Sequence, residues 1–131
     1  MVAEAHEPSR PWRIFLVEDH VDTARAISGY LRSLGHSVSV ANDVRTARKC
    51  AGTGEFDILL SDLGLPDGNG WDLLRELRPG ASFKAIAMSG YNTPEDLERS
   101  KAAGFLEHLA KPLVPEELEA AFARVMAEGS K

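Results

Sequence analysis

The sequence predicts an α/β fold in which helices cover both faces of a doubly wound, five-stranded parallel sheet. Five short apolar runs alternate with five segments whose apolar residues recur at helical spacing, which is typical of consecutive βαβ units. Most of the runs lack polar residues inside them, as expected for strands that are buried on both faces. The 131 residues are also enough for one domain and too few for two.

The predicted strands are each four or five residues long. The first, Arg-Ile-Phe-Leu-Val, is flanked by charged residues, whereas the second alternates with period two. The third and fourth are apolar runs, and the fifth is Phe105-Leu-Glu-His-Leu109. The five strands are expected at 13–17, 37–40, 57–61, 84–88 and 105–109.

The predicted helices follow the strands in order. The first ends at Gly35, the second begins with an N-cap at Asp43 and is ended by two glycines, and Pro79 stops the third. A Thr93 cap followed by proline and acidic residues opens the fourth, and Pro115 starts the last. The helices are expected at about 22–34, 43–50, 71–77, 94–103 and 115–128, and a Gly-rich loop is expected at 63–70.

Composition restricts the possible functions. Hydrophobic residues make up 44% of the chain and the formal net charge is −5, which excludes a disordered or collagen-like chain and argues against broad binding to nucleic acid or anionic membranes. One cysteine excludes an internal disulfide, and no Cys/His cluster suggests zinc. We expect a cytoplasmic protein with a tail or linker at 1–11, one domain at 12–128 and a short tail at 129–131.

Charged and polar residues follow four of the predicted strands. These residues are Glu18 and Asp19 after the first strand, Asp62 after the third, Ser89 after the fourth and Lys111 after the fifth. An aspartate after a strand is usually a cap or turn residue when it occurs alone. However, ligands of open α/β sheets bind at the carboxyl ends of the strands, so this set predicts a site there.

The charges at this edge predict a cation. If the first and third strands are neighbours, Asp19 and Asp62 repel each other by roughly 3 kcal/mol at ~5 Å, and Lys111 offsets only part of this repulsion. Oxygen ligands with room for water suit Mg²⁺ better than zinc. A divalent cation beside a carboxylate, a hydroxyl and a lysine indicates phosphoryl transfer.

These residues in this order resemble the receiver domain of two-component response regulators. The segments that carry the resemblance are Glu18-Asp19, the stretch 59–70 around Asp62, Ser89-Gly90 and Lys111-Pro112. The sequences at 88–91 and 104–112 are similar to receiver domains attached to hybrid histidine kinases. The resemblance implies the strand order 2-1-3-4-5 and covers residues 12 to 128.

The resemblance implies a role for each residue of the predicted site. Asp62 would accept a phosphoryl group from a histidine kinase or a phosphotransfer protein, and Lys111 and Ser89 would contact the phosphoryl oxygens. The chain would thus be a signalling domain, assisting its own phosphorylation, rather than an enzyme. The Mg²⁺ ligands would be Asp19, Asp62, the backbone carbonyl of Gly64 and, through water, Glu18.

The resemblance also concerns residues beside the site. A cis peptide bond before Pro112 would direct Lys111 into the site. Gly64 and Tyr91 would flank the path of the hydrolytic water. The family usually has Tyr or Phe where this chain has His108, so His108 either turns inward with Ser89 as a switch or stays in solvent. Self-association would use the face formed by the fourth helix, the fifth strand and the fifth helix.

Three other classes of function remain as alternatives. A haloacid dehalogenase-like hydrolase needs a DxD nucleophile motif after the first strand, which Glu18-Asp19-His20 does not provide. A flavodoxin-like nucleotide module needs a phosphate-binding loop there, but this loop is acidic. A pseudo-receiver would lack some of the site residues listed above, and none is missing.

Residues outside the predicted site have plain structural interpretations. We expect His6, His20 and His36 to be in solvent, and Cys50 to be a small buried or half-buried hydrophobe. No helix-turn-helix or basic stripe is visible in the sequence, so we expect no direct contact with nucleic acid. The chain is either a stand-alone receiver or a piece of a hybrid kinase.

Overall fold

The computed structural model describes residues 11–53, 55–79, 81–90 and 92–129. Its strands form one five-stranded parallel sheet in the order β2-β1-β3-β4-β5, which confirms the predicted fold class and topology. The strands are β1 (Arg13–Val17), β2 (Ser37–Ala41), β3 (Ile58–Asp62), β4 (Lys84–Ser89) and β5 (Glu107–Ala110). The helices are α1 (Val21–Ser33), α2 (Val44–Thr53), α3 (Gly70–Leu77), α4 (Pro94–Ala103) and α5 (Pro115–Gly129).

Two hydrophobic layers hold the helices on the sheet. Successive side chains of β1 point to opposite faces, so Ile14 and Leu16 pack with α1 and α5, whereas Phe15 and Val17 pack with α2, α3 and α4. All four side chains are buried. Burial on both faces therefore explains why β1 is an apolar run without alternation.

The strands that carry the predicted site end later than the sequence pattern indicates. β3 and β4 each extend by one residue, so Asp62 and Ser89 are the last residues of their strands. Hydrogen bonding explains the extension, because Asp62 stands opposite Met88 in the parallel ladder and Ser89 stands opposite Ala110. The ladder therefore holds the main chain at both site residues.

Three further predictions are wrong. α2 does not end at Cys50 but runs through Gly52 to Thr53, because Ala51 packs against the core beneath the helix. Cys50, next to it, lies on the outer surface of α2 and is exposed rather than buried. His36 is buried, because its ring stacks on Trp12 with centroids 5.1 Å apart and its Nδ1 accepts the Trp12 backbone N–H at 3.1 Å.

Capping residues define several helix ends. Thr93 and Asp96 form a reciprocal capping box at α4, and Gly104 ends that helix with a φ of 115°, as its sequence predicts. The Asn69 side chain accepts the backbone N–H of Asp72 at the start of α3. Within the described ranges, no helix has the length and apolar character needed to cross a membrane.

Candidate functional site

The sheet brings together the residues that follow its strands. β1 lies between β2 and β3, and Val17 stands opposite Ser61, so Glu18 and Asp62 follow neighbouring positions in the ladder. The backbone N–H of Glu18 donates to the Ala41 carbonyl at 3.0 Å, which continues the pairing with β2 beyond the strand. The Glu18 carboxylate is thus held at the end of the sheet by a fixed backbone.

Glu18, Asp62 and Lys111 form an ion cluster. The Lys111 Nζ lies 2.8 Å from Oε1 of Glu18 and 3.0 Å from Oδ2 of Asp62. The ammonium donates a hydrogen bond to Asp62, whereas its contact with Glu18 is an ion pair without good hydrogen-bond alignment. Glu18 and Asp62 are both buried, so two buried carboxylates share one ammonium.

This shortage of positive charge affects proton binding. Burial raises the pKa of Asp62 most, the neighbouring Glu18 carboxylate raises it further, and Lys111 lowers it; the resulting pKa is about 6, against an ordinary value of 3.8. Burial alone would lower the pKa of Lys111, but its interactions with Glu18 and Asp62 outweigh burial and raise that pKa. The cluster therefore favours any additional cation.

Asp19 and His20 extend the acidic cluster toward solvent. The backbone N–H of His20 donates to Oε2 of Glu18 at 3.1 Å, and His20 Nδ1 lies 3.5 Å from that oxygen and 3.7 Å from Oδ1 of Asp19. One ligand atom from each of these three residues lies within 4.8 Å of the others. The His20 side chain is exposed, as predicted, but it stands beside the acidic pair.

The charge and donor types in this cluster fit a hard divalent cation. Glu18, Asp19 and Asp62 supply three carboxylates, and Lys111 is the ammonium that contacts two of them. Carboxylate oxygen is the donor that Mg²⁺ prefers. The residues present at the ends of β1 and β3 thus fit the Mg²⁺ that the sequence resemblance implies.

The segment after Asp62, predicted as a Gly-rich loop, contains a short antiparallel ribbon. Residues Gly64–Leu65 pair antiparallel with Gly68–Asn69, and Gly70 N–H donates to the Leu63 carbonyl at 2.9 Å. Asp67, in the turn of this ribbon, accepts the backbone N–H groups of Val44 and Arg45 at 2.8 and 3.1 Å. The backbone of Gly64 is therefore held between α2 and α3.

Sequence reasoning missed two residues that shape the site. A Cβ at Gly70 would lie only 2.5 Å from the Asp62 carbonyl oxygen, so no larger residue fits there without movement. Asn42 donates from Nδ2 to the Glu18 carbonyl at 2.8 Å. Gly70 could have been recognised as the last glycine before α3, but Asn42 lies 24 residues from its partner and gives no local signal.

Ser89 and Lys111 are adjacent across the sheet. The backbone N–H of Lys111 donates to the Ser89 carbonyl at 2.9 Å, and the peptide bond between Lys111 and Pro112 is cis. Ser89 is buried. The same carbonyl also accepts Nδ2 of Asn92 at 3.2 Å. Tyr91, which the sequence places beside the hydrolytic path, lies outside the described residues.

His108 is not in free solvent. Its Nδ1 lies 2.8 Å from the Ser100 hydroxyl and its Nε2 lies 2.9 Å from Oδ1 of Asn92. The residue is half-buried between α4 and the segment after β4. The sequence left open whether His108 turns inward or stays in solvent. In the structure the ring is hydrogen-bonded through both nitrogens and does not stay in solvent.

The fold and this acidic cluster define a class of signalling domain, and comparison with known proteins identifies the family. Residues 14–123 match the family model of the response regulator receiver domain. The probable transcriptional regulatory protein SilR of Salmonella typhimurium is 31% identical over 119 residues, which are 90% of this chain and 52% of SilR. The chain thus spans about half the length of that relative.

Two solved structures are similar throughout the fold. A response regulator receiver domain protein (CheY-like) from Methanospirillum hungatei JF-1 is 27% identical with a TM-score of 0.83, over 93% of this chain and 98% of that one. A response regulator protein from Burkholderia pseudomallei, solved with a phosphorylated aspartic acid, a calcium ion and citrate, is 25% identical with a TM-score of 0.79, over 88% of this chain and 71% of that one.

The chain belongs to the response regulator receiver family. Domains of this family are phosphoacceptors in two-component signalling, and they interact with histidine kinases or phosphotransfer proteins.

Proposed function

We propose that Asp62 is the phosphoacceptor of this chain and that it accepts its phosphoryl group from a histidine kinase or a histidine phosphotransfer protein. An Asp62 carboxylate oxygen attacks phosphorus, the P–N bond of the phosphohistidine breaks, and the imidazole leaves with the bonding electrons. The product is an acyl phosphate on Asp62. The observation that carries this proposal is the position of Asp62, buried at the end of β3 and hydrogen-bonded to Lys111.

Lys111 and Ser89 would bind the transferred group. The Lys111 ammonium, now held between two carboxylates, can pair with a phosphoryl oxygen once Asp62 is phosphorylated. Ser89, at the adjacent strand end, offers a hydroxyl for a second oxygen. In this reaction the chain assists its own phosphorylation and dephosphorylation but transforms no separate substrate.

Mg²⁺ would be held by Asp19, Asp62 and the backbone carbonyl of Gly64, with Glu18 acting through water. When bound, the ion neutralises charge that develops on the phosphoryl oxygens. The similar response regulator from Burkholderia pseudomallei, with its phosphorylated aspartic acid and calcium ion, supports this assignment of an acidic cation site beside an acceptor aspartate.

The alternative classes fit less well. A haloacid dehalogenase-like hydrolase would carry its nucleophile after β1, where Glu18 is instead paired with Lys111. A nucleotide module would need backbone N–H groups facing a phosphate there, but the His20 N–H is occupied by Glu18. A pseudo-receiver would lack the acceptor or the lysine, and this chain has both.

Several broader assignments are proposals as well. The receiver domain would occupy residues 12–128 between short tails at 1–11 and 129–131. The chain would act in the cytoplasm, either alone or as part of a hybrid histidine kinase. Phosphorylation would promote self-association through the face formed by α4, β5 and α5, without direct contact with nucleic acid or membrane.

Phosphorylation with radiolabelled acetyl phosphate tests the acceptor. We expect Mg²⁺-dependent label on the chain that hydroxylamine removes, because acyl phosphates react with hydroxylamine and phosphoserine does not. Asp62→Asn should lose the label, whereas Asp72→Asn, an exposed carboxylate on α3, should keep it. Hydroxylamine-sensitive label on Asp62→Asn would show that the acceptor is another residue.

Tyr91 would determine the lifetime of the acyl phosphate. Gly64 has no side chain that could position the hydrolytic water, and the Tyr91 ring would shield the phosphoryl group. We therefore expect Tyr91→Ala to change the rate of label loss after the donor is removed, with little change in the extent of labelling. Equal decay rates would exclude this role.

A further inference from the structure

A continuous chain of hydrogen bonds leads from α3 to the end of β4. The indole Nε1–H of Trp71 donates to the Ser100 hydroxyl at 2.9 Å, and that hydroxyl lies 2.8 Å from Nδ1 of His108. His108 Nε2 lies 2.9 Å from Oδ1 of Asn92, whose Nδ2 donates to the Ser89 carbonyl at 3.2 Å. The chain thus joins α3, α4, β5 and the segment after β4.

The groups at the two ends of this series of hydrogen bonds determine which atoms donate and which accept. The Trp71 indole can only donate, so the Ser100 hydroxyl accepts from it and its own proton is available for His108 Nδ1. At the other end the Ser89 carbonyl can only accept, so Asn92 presents its amide nitrogen to Ser89 and its oxygen to His108. The Asn92 oxygen therefore requires a proton on His108 Nε2, and Nδ1 can accept the Ser100 proton when the ring is neutral.

His108 links Ser100 and Asn92 because its two ring nitrogens face these two partners separately. A Tyr or Phe at this position has no acceptor for the Ser100 proton at the place of Nδ1. Ser100 is buried, so its hydroxyl would lose an interaction that water could not replace. At a position where the resemblance implies an aromatic residue, His108 thus has polar partners in Ser100 and Asn92.

We propose that His108 and Asn92 are positioning residues for the phosphoryl site: through this hydrogen-bond chain they hold the main chain of Ser89 and connect it to Trp71. The inference rests on the proposed function, because it assigns a purpose to holding Ser89. It differs from a rotating aromatic switch, since the histidine acts while hydrogen-bonded through both ring nitrogens.

Beryllofluoride with Mg²⁺, a mimic of the phosphoryl group, tests the proposal in a Trp12→Phe background. The chain has two tryptophans, so Trp71 is then the sole source of indole emission. Trp12 packs against Phe122 on the opposite face of the sheet from α3. Fluorine NMR measures the affinity for the mimic, and Trp71 emission reports whether its binding reaches α3.

A matched pair of substitutions at position 108 separates the contact with Ser100 from the contact with Asn92. Gln at position 108 places its amide near Nε2 and keeps a donor for Asn92, whereas Asn places its amide near Nδ1 and loses that donor. We expect His108→Asn to bind the mimic about fivefold more weakly, as for one lost hydrogen bond, and to lose most of the Trp71 response. His108→Gln should stay within about twofold of the parent in affinity.

Asn92→Ala provides the second test, since Asn92 is exposed and its removal leaves the core intact. It should reproduce the loss seen with His108→Asn, and the exposed Glu98→Ala should behave as the parent. If both His108→Asn and Asn92→Ala keep the affinity and the emission of the parent, the positioning role is wrong and the proposed acceptor site is unaffected. Failure of the parent to bind the mimic overturns the proposed acceptor site instead.

Discussion

Gly70 stands directly against the main chain of Asp62. The first atom of any side chain at Gly70 would lie 2.5 Å from the Asp62 carbonyl oxygen and 3.0 Å from a methyl group of Leu63. Gly70 is also the first residue of α3, and its N–H is bonded to Leu63. The start of α3 and Asp62 are therefore in van der Waals contact through backbone atoms.

Gly70→Ala should therefore destabilise the domain and displace Asp62. Because the obstructing atom is backbone, relief requires movement of Asp62 itself, and we expect a loss of about 1–3 kcal/mol in the free energy of unfolding. Gly29→Ala is the matched control, since Gly29 is exposed within α1 and has no atom within 4 Å of the added carbon. That substitution should stabilise by up to about 1 kcal/mol. Urea denaturation of both variants distinguishes these signs, and equal effects would contradict the close contact.

Asp62→Asn should become relatively more stable as the pH rises. The pKa of Asp62 is about 6 in the folded chain, against an ordinary value of 3.8. At a pH between these two values, Asp62 is protonated in the folded state and ionised in the unfolded state. The folded state then binds more protons than the unfolded state, so wild-type stability falls as the pH rises through this window. With a chelator present, we expect the advantage of Asp62→Asn to grow from pH 4 to pH 7 by on the order of 3 kcal/mol. A difference that does not vary with pH would rule out the raised pKa.

His36 should produce the opposite pH dependence. Burial lowers the pKa of His36 below its ordinary 6.5, so the folded state prefers the neutral ring. Its contribution to stability is complete above pH 6.5 and is lost as the pH falls below that value. His36→Asn keeps an acceptor for the Trp12 N–H without titrating there. We expect the stability gap between wild type and His36→Asn to shift in favour of the variant between pH 8 and pH 5, as measured by denaturant unfolding. A constant gap would exclude titration of His36.

Mg²⁺ should stabilise the folded chain through Asp19. A ligand at one hundred times its dissociation constant adds about 2.7 kcal/mol when it binds only the folded state. We expect Asp19→Asn to lose most of this Mg²⁺-dependent gain while folding normally without the ion, because the substitution removes one carboxylate from an acidic cluster. Asp22→Asn removes the same charge from the exposed first turn of α1 and should retain the gain. Equal gains in both variants would remove Asp19 from the ligand set.

The order of the helices and strands was predictable because the spacing of apolar residues indicates which faces are buried. The predicted strand ends then indicated where the charged residues lie together. The contacts among those residues were not predictable. Lys111 lies 49 residues from Asp62, and only the strand register shows that its ammonium also reaches Glu18. Cys50 was wrongly placed because the helical spacing around it does not show which side of α2 faces the core. The burial of His36 depends on stacking with Trp12, across 24 residues.

The two hydrogen bonds from α2 to Asp67 have a consequence for partner recognition. Val44 and Arg45, at the first turn of α2, donate their N–H groups to the carboxylate of Asp67, which lies in the same short ribbon as Gly64. The helix end supplies partial positive charge, so this bond is favoured electrostatically as well as geometrically. A protein that pulled α2 away from the ribbon would loosen the Gly64 carbonyl, which we propose as a Mg²⁺ ligand. If this proposal holds, a partner that binds α2 changes the lifetime of the phosphoryl group without contacting Asp62.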